Sequence, residues 1–145
     1  MKNTLLIIIG LTIGLNATFT RSTAGVVVDS STNLQWQDDY SDNSNAIKSS
    51  DWEMAISYCE NLTLDGGSWR LPNITEIFSL VDATKKIPAI DSAFTNTKSA
   101  TATNDAYWSS TSQDVDKTKA WISKFDYGST NYDSKTNTHF IRCVR

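Results

Sequence analysis

The chain has 145 residues, of which 39% are hydrophobic and 20% are charged. This length suits one domain, and the composition is ordinary for a packed globular core, which argues against low-complexity disorder. The formal net charge of −3 and the lack of a recognition motif argue against a nucleic-acid partner.

The N-terminal residues have the pattern of an export leader. Lys2 provides a positive start, residues 5–15 form an apolar run, and small residues follow. Cleavage after Ala17 and cleavage after Ala24 both satisfy the small-residue rule, and the sequence does not choose between them.

We therefore expect a signal peptide over residues 1–24 and a single domain over residues 25–145, in a protein that is secreted, periplasmic or on the cell surface. The apolar run is too short for an ordinary membrane helix, and no later segment approaches the roughly 18 consecutive apolar residues of a span. The mature chain is predicted to have no membrane span.

Export makes a disulfide the expected state of Cys59 and Cys143, the only two cysteines. The bridge would close a loop of 84 residues and stabilise the fold by about 4 to 5 kcal/mol on the chain-entropy model. A redox or metal site is the rival interpretation. The chain has no CxxC, however, and its single histidine, His139, offers too few ligands for zinc.

The first predicted elements are strands. Two short β-prone runs, residues 25–29 and 34–37, flank a polar turn and predict a hairpin. Residues 38–50 form a polar loop.

Two helices are predicted next. Asp51 is placed to cap a helix with apolar residues at three- and four-residue spacing, the pattern of a helix that buries one face. These apolar residues are Trp52, Ala55, Ile56, Cys59 and Leu62. After a turn at Gly66 and Gly67, a short second helix ends near Asp82, with Asn73 as its N-cap and Glu76 at capping-box spacing.

Residues 85–105 form a long connection with little periodicity, and such loops are usually functional or mobile. Three strands are predicted to close the chain, at residues 106–110, 119–127 and 138–144, with Gly128 opening the turn between the last two. Strands, then two helices, then strands predict one α+β domain.

Several uncommon strings occur here in the order found in the DUF1566 domain, also called the Lcl C-terminal domain after a bacterial collagen-like adhesin. They are residues 34–37, the Trp52 helix with Cys59, residues 69–73 with Glu76, Phe94, residues 107–111, Trp121, Phe125, Gly128 and residues 142–145. The resemblance covers about residues 26–145. At Asn33 such domains usually have glycine, and asparagine tolerates the left-handed conformation that glycine would supply.

The resemblance implies a fold distantly similar to C-type lectins: two helices flanking a small twisted antiparallel sheet, with the chain ends close together. In the Lcl adhesin, the domain is associated with binding sulfated glycosaminoglycans and with trimeric assembly. The implied partners are therefore a glycan or a surface protein, and a homo-oligomer is an open alternative.

Most of the distinctive residues are predicted to be scaffold. Trp36, Trp52, Trp69 and Trp121 lie in predicted elements or tight turns and are expected in the core. Pro72, Asn73 and Glu76 belong to the turn and helix cap. Arg70 is expected to pair with a carboxylate, either Glu76 or Asp82, because its fork-shaped guanidinium suits a fixed turn.

The candidate ligand-binding residues lie outside this motif. Trp108, beside Tyr107 and just after Asn104 and Asp105, is the tryptophan expected to reach a surface site. Basic residues predominate after residue 85. Among them, the best candidates for contacts to an anionic polymer are Lys117, Lys119 and Lys124, which lie on or beside one predicted strand. The alternative is that this strand is an ordinary solvent-exposed one with no ligand.

A calcium site is a weaker hypothesis, and no other cofactor is predicted. Asp38, Asp39 and Asp42 crowd oxygen atoms into one loop, and calcium takes six to eight oxygens, but EF-hand spacing is missing. Catalysis is not predicted, because Ser109 and Ser110 lie in no GxSxG elbow and His139 has no triad context.

The sequence thus favours a secreted or cell-surface binding module, adhesin-like or lectin-like, that recognises a glycan of anionic type. The alternative is a structural or assembly domain of a surface complex with no small-molecule ligand.

Overall fold

The computed structural model describes residues 18–99 and 105–145, which fold into two β-sheets, two α-helices and two short 3-10 helices. The strands in chain order are β1 (Phe19–Arg21), β2 (Val26–Asp29), β3 (Gln35–Gln37), β4 (Ser49–Ser50), β5 (Ala106–Ser112), β6 (Lys119–Lys124), β7 (Ser129–Ser134) and β8 (His139–Phe140). The helices are α1 (Trp52–Asn61) and α2 (Ile74–Phe78). One sheet has the order β1-β2-β3 and the other has the order β4-β8-β5-β6-β7.

The α+β class is confirmed, but the prediction of one small antiparallel sheet is wrong. There are two sheets, of three and five strands, and the larger sheet is mixed because β8 pairs with β5 in parallel. Among the described residues, no helix has both the length and the apolarity needed to cross a membrane.

The predicted N-terminal hairpin is confirmed as β2 and β3. Asp29 fixes its turn, because its carboxylate accepts hydrogen bonds from the Ser31 backbone at 2.8 Å and from the Thr32 hydroxyl at 2.7 Å. Asn33 has a φ of 59°, the left-handed conformation expected there. β1 was not predicted, and it adds a third strand to this hairpin.

Helix α1 forms as predicted. The Asp51 side chain accepts a hydrogen bond from the Met54 backbone at 2.9 Å, and Ala55 and Cys59 are buried on the inner face. Cys59 is bonded to Cys143, which confirms the predicted disulfide. The bridge fastens α1 to the C-terminal segment.

Helix α2 has the predicted capping box. The Asn73 side chain accepts from the Glu76 backbone at 2.8 Å, and the Glu76 carboxylate accepts from the Asn73 backbone at 2.9 Å. Arg70 pairs with that same carboxylate through two bonds of 2.7 and 2.6 Å. The helix ends at Phe78, earlier than the predicted Asp82, and the turn that follows leaves Asp82 paired with Lys85.

Replacing Glu76 with glutamine is expected to lower the free energy of unfolding by about 1 kcal/mol at neutral pH. Hydrogen bonds from the Arg70 side chain, and then from the Asn73 backbone, hold the pKa of Glu76 below its ordinary value of 4.5. Because the folded-state pKa is the lower one, this stabilisation is present above the unfolded-state pKa and is lost as the pH falls through the folded-state value.

Urea unfolding of the wild type and the Glu76→Gln variant, at neutral pH and at about pH 3, measures this effect. The difference between the two proteins should shrink in acid. Glu53→Gln, at an exposed position of α1, is the matched control and should change stability by less than about 0.5 kcal/mol. A difference that grows in acid would contradict the sign.

The C-terminal strands differ from prediction in number and length. β6 ends at Lys124, so Gly128 opens the turn to a strand that was not predicted, β7. β7 lies at the edge of the sheet and is largely exposed, so it lacks the apolar alternation that marks a half-buried strand. The predicted last strand shortens to His139–Phe140, followed by single bridges from Val144 to Trp36 and Arg70.

Two hydrophobic clusters pack on either side of the larger sheet. Alternate residues of β5 and β6 face opposite ways, so Trp108 and Ile122 join the cluster under α1, and Tyr107 joins the cluster that contains Ile77 of α2. Trp36 and Trp69 are buried as expected. This arrangement decides which aromatic residues remain for a surface site.

Candidate functional site

The structure places two predicted ligand residues, Tyr107 and Trp108, in the core. Both are 0% exposed, so the prediction that Trp108 reaches the surface is wrong. Its strand lies between β8 and β6, and its indole nitrogen donates to the Ser50 carbonyl at 2.9 Å. Asp105 precedes the strand and is partly buried, whereas Asn104 lies outside the described residues.

The three predicted lysines do not form one patch. Lys117 pairs with Asp114 at 3.2 Å, and Lys119 pairs with Asp116 at 3.5 Å, so local carboxylates offset both charges. Lys119 and Lys124 lie at opposite ends of β6 and, five positions apart, project from opposite faces. Lys119 is the one that borders an aromatic surface.

The calcium hypothesis does not fit Asp38. This carboxylate is 0% exposed and accepts hydrogen bonds from Arg21 Nε at 3.1 Å and from the Thr95 backbone at 2.9 Å, with Arg142 also facing it at 3.3 Å.

The other two candidate calcium ligands are not grouped around an ion site. Asp39 accepts a hydrogen bond from the Ser41 backbone, and Asp42 is exposed. Within the part of the chain that the structure describes, no group of three or more acidic, histidine or cysteine side chains is arranged to hold a metal.

Arg142 is a structural residue that the sequence reasoning missed. Its side chain is fully buried, and its guanidinium stacks 4.6 Å from the centre of the Phe94 ring. The same group donates to the Asn96 carbonyl and, at 3.1 Å, to the Thr97 hydroxyl, which holds this part of the long connection against the sheet. One sequence feature could have indicated a buried arginine, namely a charged residue within the otherwise apolar segment from Ile141 to Val144.

The aromatic platform, defined here as Phe78, Trp121 and Tyr132, is the candidate site. Phe78 is 43% exposed, Tyr132 is 42% exposed, and Trp121 is partly buried between them. The rings of Trp121 and Tyr132 meet edge to face with centroids 5.7 Å apart. A shallow groove of about 280 Å³ is lined by Phe78 and Trp121 together with Ile74, Thr75 and Thr130, and Tyr132 flanks Trp121 outside this lining.

Regular elements hold the platform in place. Ala120 and Ile122 point into the hydrophobic cluster under α1. Trp121, which lies between them in the strand, therefore points to the opposite face of the sheet, where α2 lies. Tyr132 is directly opposite Trp121 in the β6–β7 ladder, and α2 brings Phe78 to the groove that Trp121 lines. Trp121 was expected in the core and is instead the partly exposed centre of this surface.

Charge at the platform is limited to its border. The Lys119 ammonium lies 5.4 Å from the centre of the Tyr132 ring, within the range of a cation–π contact. Because Asp116 lies beside that ammonium, the border is close to neutral. Threonine hydroxyls from Thr75 and Thr130 supply the other polar groups.

A larger cleft, of about 450 Å³, lies between α1 and the preceding loop. Its aromatic residue is Tyr58, whose hydroxyl already accepts a hydrogen bond from buried Gln37 at 2.8 Å. Burial raises the pKa of Tyr58 above its ordinary value of 10.0. The cleft offers one partly buried ring, whereas the groove of the platform is lined by two, Phe78 and Trp121, with Tyr132 beside Trp121, so the platform is better suited to stacking against a ligand.

These features define a small disulfide-bonded α+β domain with an exposed aromatic surface. The chain belongs to the Lcl C-terminal domain family, whose sequence model matches residues 25–145. The predicted family is therefore confirmed. A search of curated proteins found no match.

Proposed function

We propose that the protein is an exported binding module, adhesin-like or lectin-like, that recognises a glycan on the aromatic platform. The observation that carries this proposal is an aromatic surface on regular elements, in which Phe78 and Trp121 line one groove and the half-exposed Tyr132 ring packs against Trp121. Exposed apolar patches of this kind mark interaction sites, and the apolar face of a sugar ring packs well on an aromatic ring.

The border of the platform supports the same ligand class. Hydroxyl groups of Thr75 and Thr130 and the ammonium of Lys119 are available to bond sugar hydroxyls at the edges of a stacked ring. The pairing of Lys119 with Asp116 weakens the case for a strongly anionic glycan, so charge is proposed to tune orientation while stacking supplies most of the affinity.

Export is part of the proposal. A disulfide between Cys59 and Cys143 suits an oxidising compartment, and the N-terminal sequence has a leader pattern. A distant likeness to C-type lectins, implied by the family resemblance, agrees with a surface binding role.

Replacing Trp121 with alanine is expected to weaken glycan binding at least tenfold, a loss of about 1.4 kcal/mol, because it removes the centre of the stacking surface. A glycan array at low and moderate salt, with and without calcium, identifies the best ligand, and isothermal titration then measures its affinity for each variant. Tyr127→Ala is the matched control, because Tyr127 is 65% exposed but lies outside the groove.

Salt dependence separates stacking from charge. Two results together would overturn the platform as the main source of binding. The affinity of the wild type would fall steeply as the salt concentration rises, and Lys119→Ala would lose more affinity than Trp121→Ala. Equal losses in Trp121→Ala and Tyr127→Ala would overturn it as well.

An assembly role is the second candidate, because the same apolar rings suit contact with another copy of the chain. Light scattering of the purified protein distinguishes the two. Wild-type protein that binds no glycan, and an oligomer that Trp121→Ala converts to a monomer, would favour assembly over glycan recognition.

A further inference from the structure

We propose, on the basis of the export that forms part of the proposed function, that the leader is cleaved after Ala17, so that the mature chain begins at Thr18 and retains β1. Cleavage after Ala24 is the alternative, and it fits the A-x-A-like rule more fully, because Ser22 lies at position −3 there whereas Leu15 lies at position −3 before Ala17. The fold favours the other site. The two products differ by residues 18–24, and these residues hold a complete strand of the fold.

The backbone of this segment is integrated into the smaller sheet. β1 pairs antiparallel with β2 over three residues, from Phe19 opposite Asp29 to Arg21 opposite Val27. Just before the strand, the Thr18 carbonyl accepts a hydrogen bond from the Ser30 backbone at 3.1 Å. A chain that began at residue 25 would lose these bonds and leave β2 as an open edge strand.

The side chains of β1 reach two parts of the interior. The Phe19 ring meets Phe94 edge to face with centroids 5.5 Å apart. Arg21 bonds the buried Asp38 twice, with Nε to the carboxylate at 3.1 Å and Nη2 to the carbonyl at 3.0 Å. Cleavage after Ala24 would therefore remove one of the two arginines that face this carboxylate, the other being Arg142.

The bond after Ala24 lies inside the turn that joins β1 to β2. The Ser22 backbone donates to the Val26 carbonyl at 2.8 Å, and the Gly25 backbone donates to the Ser22 carbonyl at 3.1 Å. Gly25 has a φ of +74°, and a Cβ there would collide with the side chain of Asp39. The turn is thus specified by residues on both sides of that bond, as expected for a segment that belongs to the mature fold.

These contacts are independent of the family assignment, because the match to the family begins at residue 25 and β1 lies before it. The contacts of the folded domain do not guide the peptidase, because the peptidase cleaves the chain before it folds. What they identify is the product that has the complete sheet and the complete set of charges around Asp38.

The full precursor, expressed with its own leader in a bacterial host and recovered from outside the cytoplasm, tests the proposal. Intact mass and N-terminal sequencing should show a chain that begins at Thr18. A chain that begins at Gly25, or one that retains the whole leader, would overturn the proposal.

A pair of substitutions provides a second readout that does not need the mature protein to be stable. Ala17→Asp should leave most of the protein as unprocessed precursor, because the cleavage rule requires a small residue there. Ala24→Asp is the matched control and should be processed as the wild type is, since Ala24 is exposed in the turn. The reverse pattern, with only Ala24→Asp blocking processing, would refute cleavage after Ala17.

Discussion

Replacing Asp38 with alanine is expected to lower the free energy of unfolding by about 3 to 5 kcal/mol, because it leaves a buried arginine without its counter-charge. Asp38 and Arg142 are both 0% exposed, with Arg142 Nη2 3.3 Å from the carboxylate. The carboxylate also accepts from the Thr95 backbone at 2.9 Å and from the Asn96 backbone at 3.1 Å. One substitution therefore removes two ion pairs, with Arg142 and with Arg21, and frees the segment that follows Phe94.

Urea unfolding at neutral pH measures this loss. Asp42→Ala is the matched control in the same loop, and because Asp42 is exposed it should change stability by less than about 0.5 kcal/mol. Adding Arg142→Met to Asp38→Ala should recover part of the loss, since both buried charges are then gone. Similar effects of the two alanine substitutions would contradict the structural role of Asp38, as would calcium stabilising only the wild type.

Local chemistry made much of the scaffold predictable. Asp51 and Asn73 cap their helices because a short side-chain oxygen at that position satisfies a free backbone N–H, a rule that acts within three residues. The hairpin before the loop has the same local origin. The disulfide was predictable because the sequence has only two cysteines and an N-terminal pattern typical of an export leader.

Exposure was harder to predict, because it depends on where strands lie in the sheet. Trp108 and Trp121 have similar surroundings in sequence, yet Trp108 is in a central strand and Trp121 is beside the edge strand β7. The parallel pairing of β8 with β5 encloses Trp108, and that pairing brings together residues more than 30 positions apart. The predicted surface tryptophan and the observed one are consequently exchanged.

The candidate site was predictable only in part for the same reason. Lys119 was identified from charge, but its neighbours on the platform come from α2, β6 and an unpredicted strand, β7. Arg142 and Asp38 lie 104 residues apart, so their pairing could not be inferred from local spacing. In the sequence, Arg142 and the acidic loop were visible only as separate features, and neither was predicted to be buried.

Removing the disulfide with Cys59→Ala and Cys143→Ala together is expected to destabilise the fold by about 4 to 5 kcal/mol, because the bridge closes a loop of 84 residues in the unfolded chain. Both cysteines are 0% exposed, so the double variant also loses a little packing under α1. For a domain of ordinary stability, this loss is a large fraction of the total.

Urea unfolding with and without a thiol reductant separates the bridge from the packing. Reductant should destabilise the wild type nearly as much as the double substitution does, and it should leave the double variant unchanged. Below its unfolding transition the variant should keep the glycan affinity proposed for the platform, because Trp121 and Tyr132 lie on strands that the bridge does not touch. A loss below about 1 kcal/mol would show that native packing alone fixes α1 to the sheet, and that loop closure contributes little to this fold.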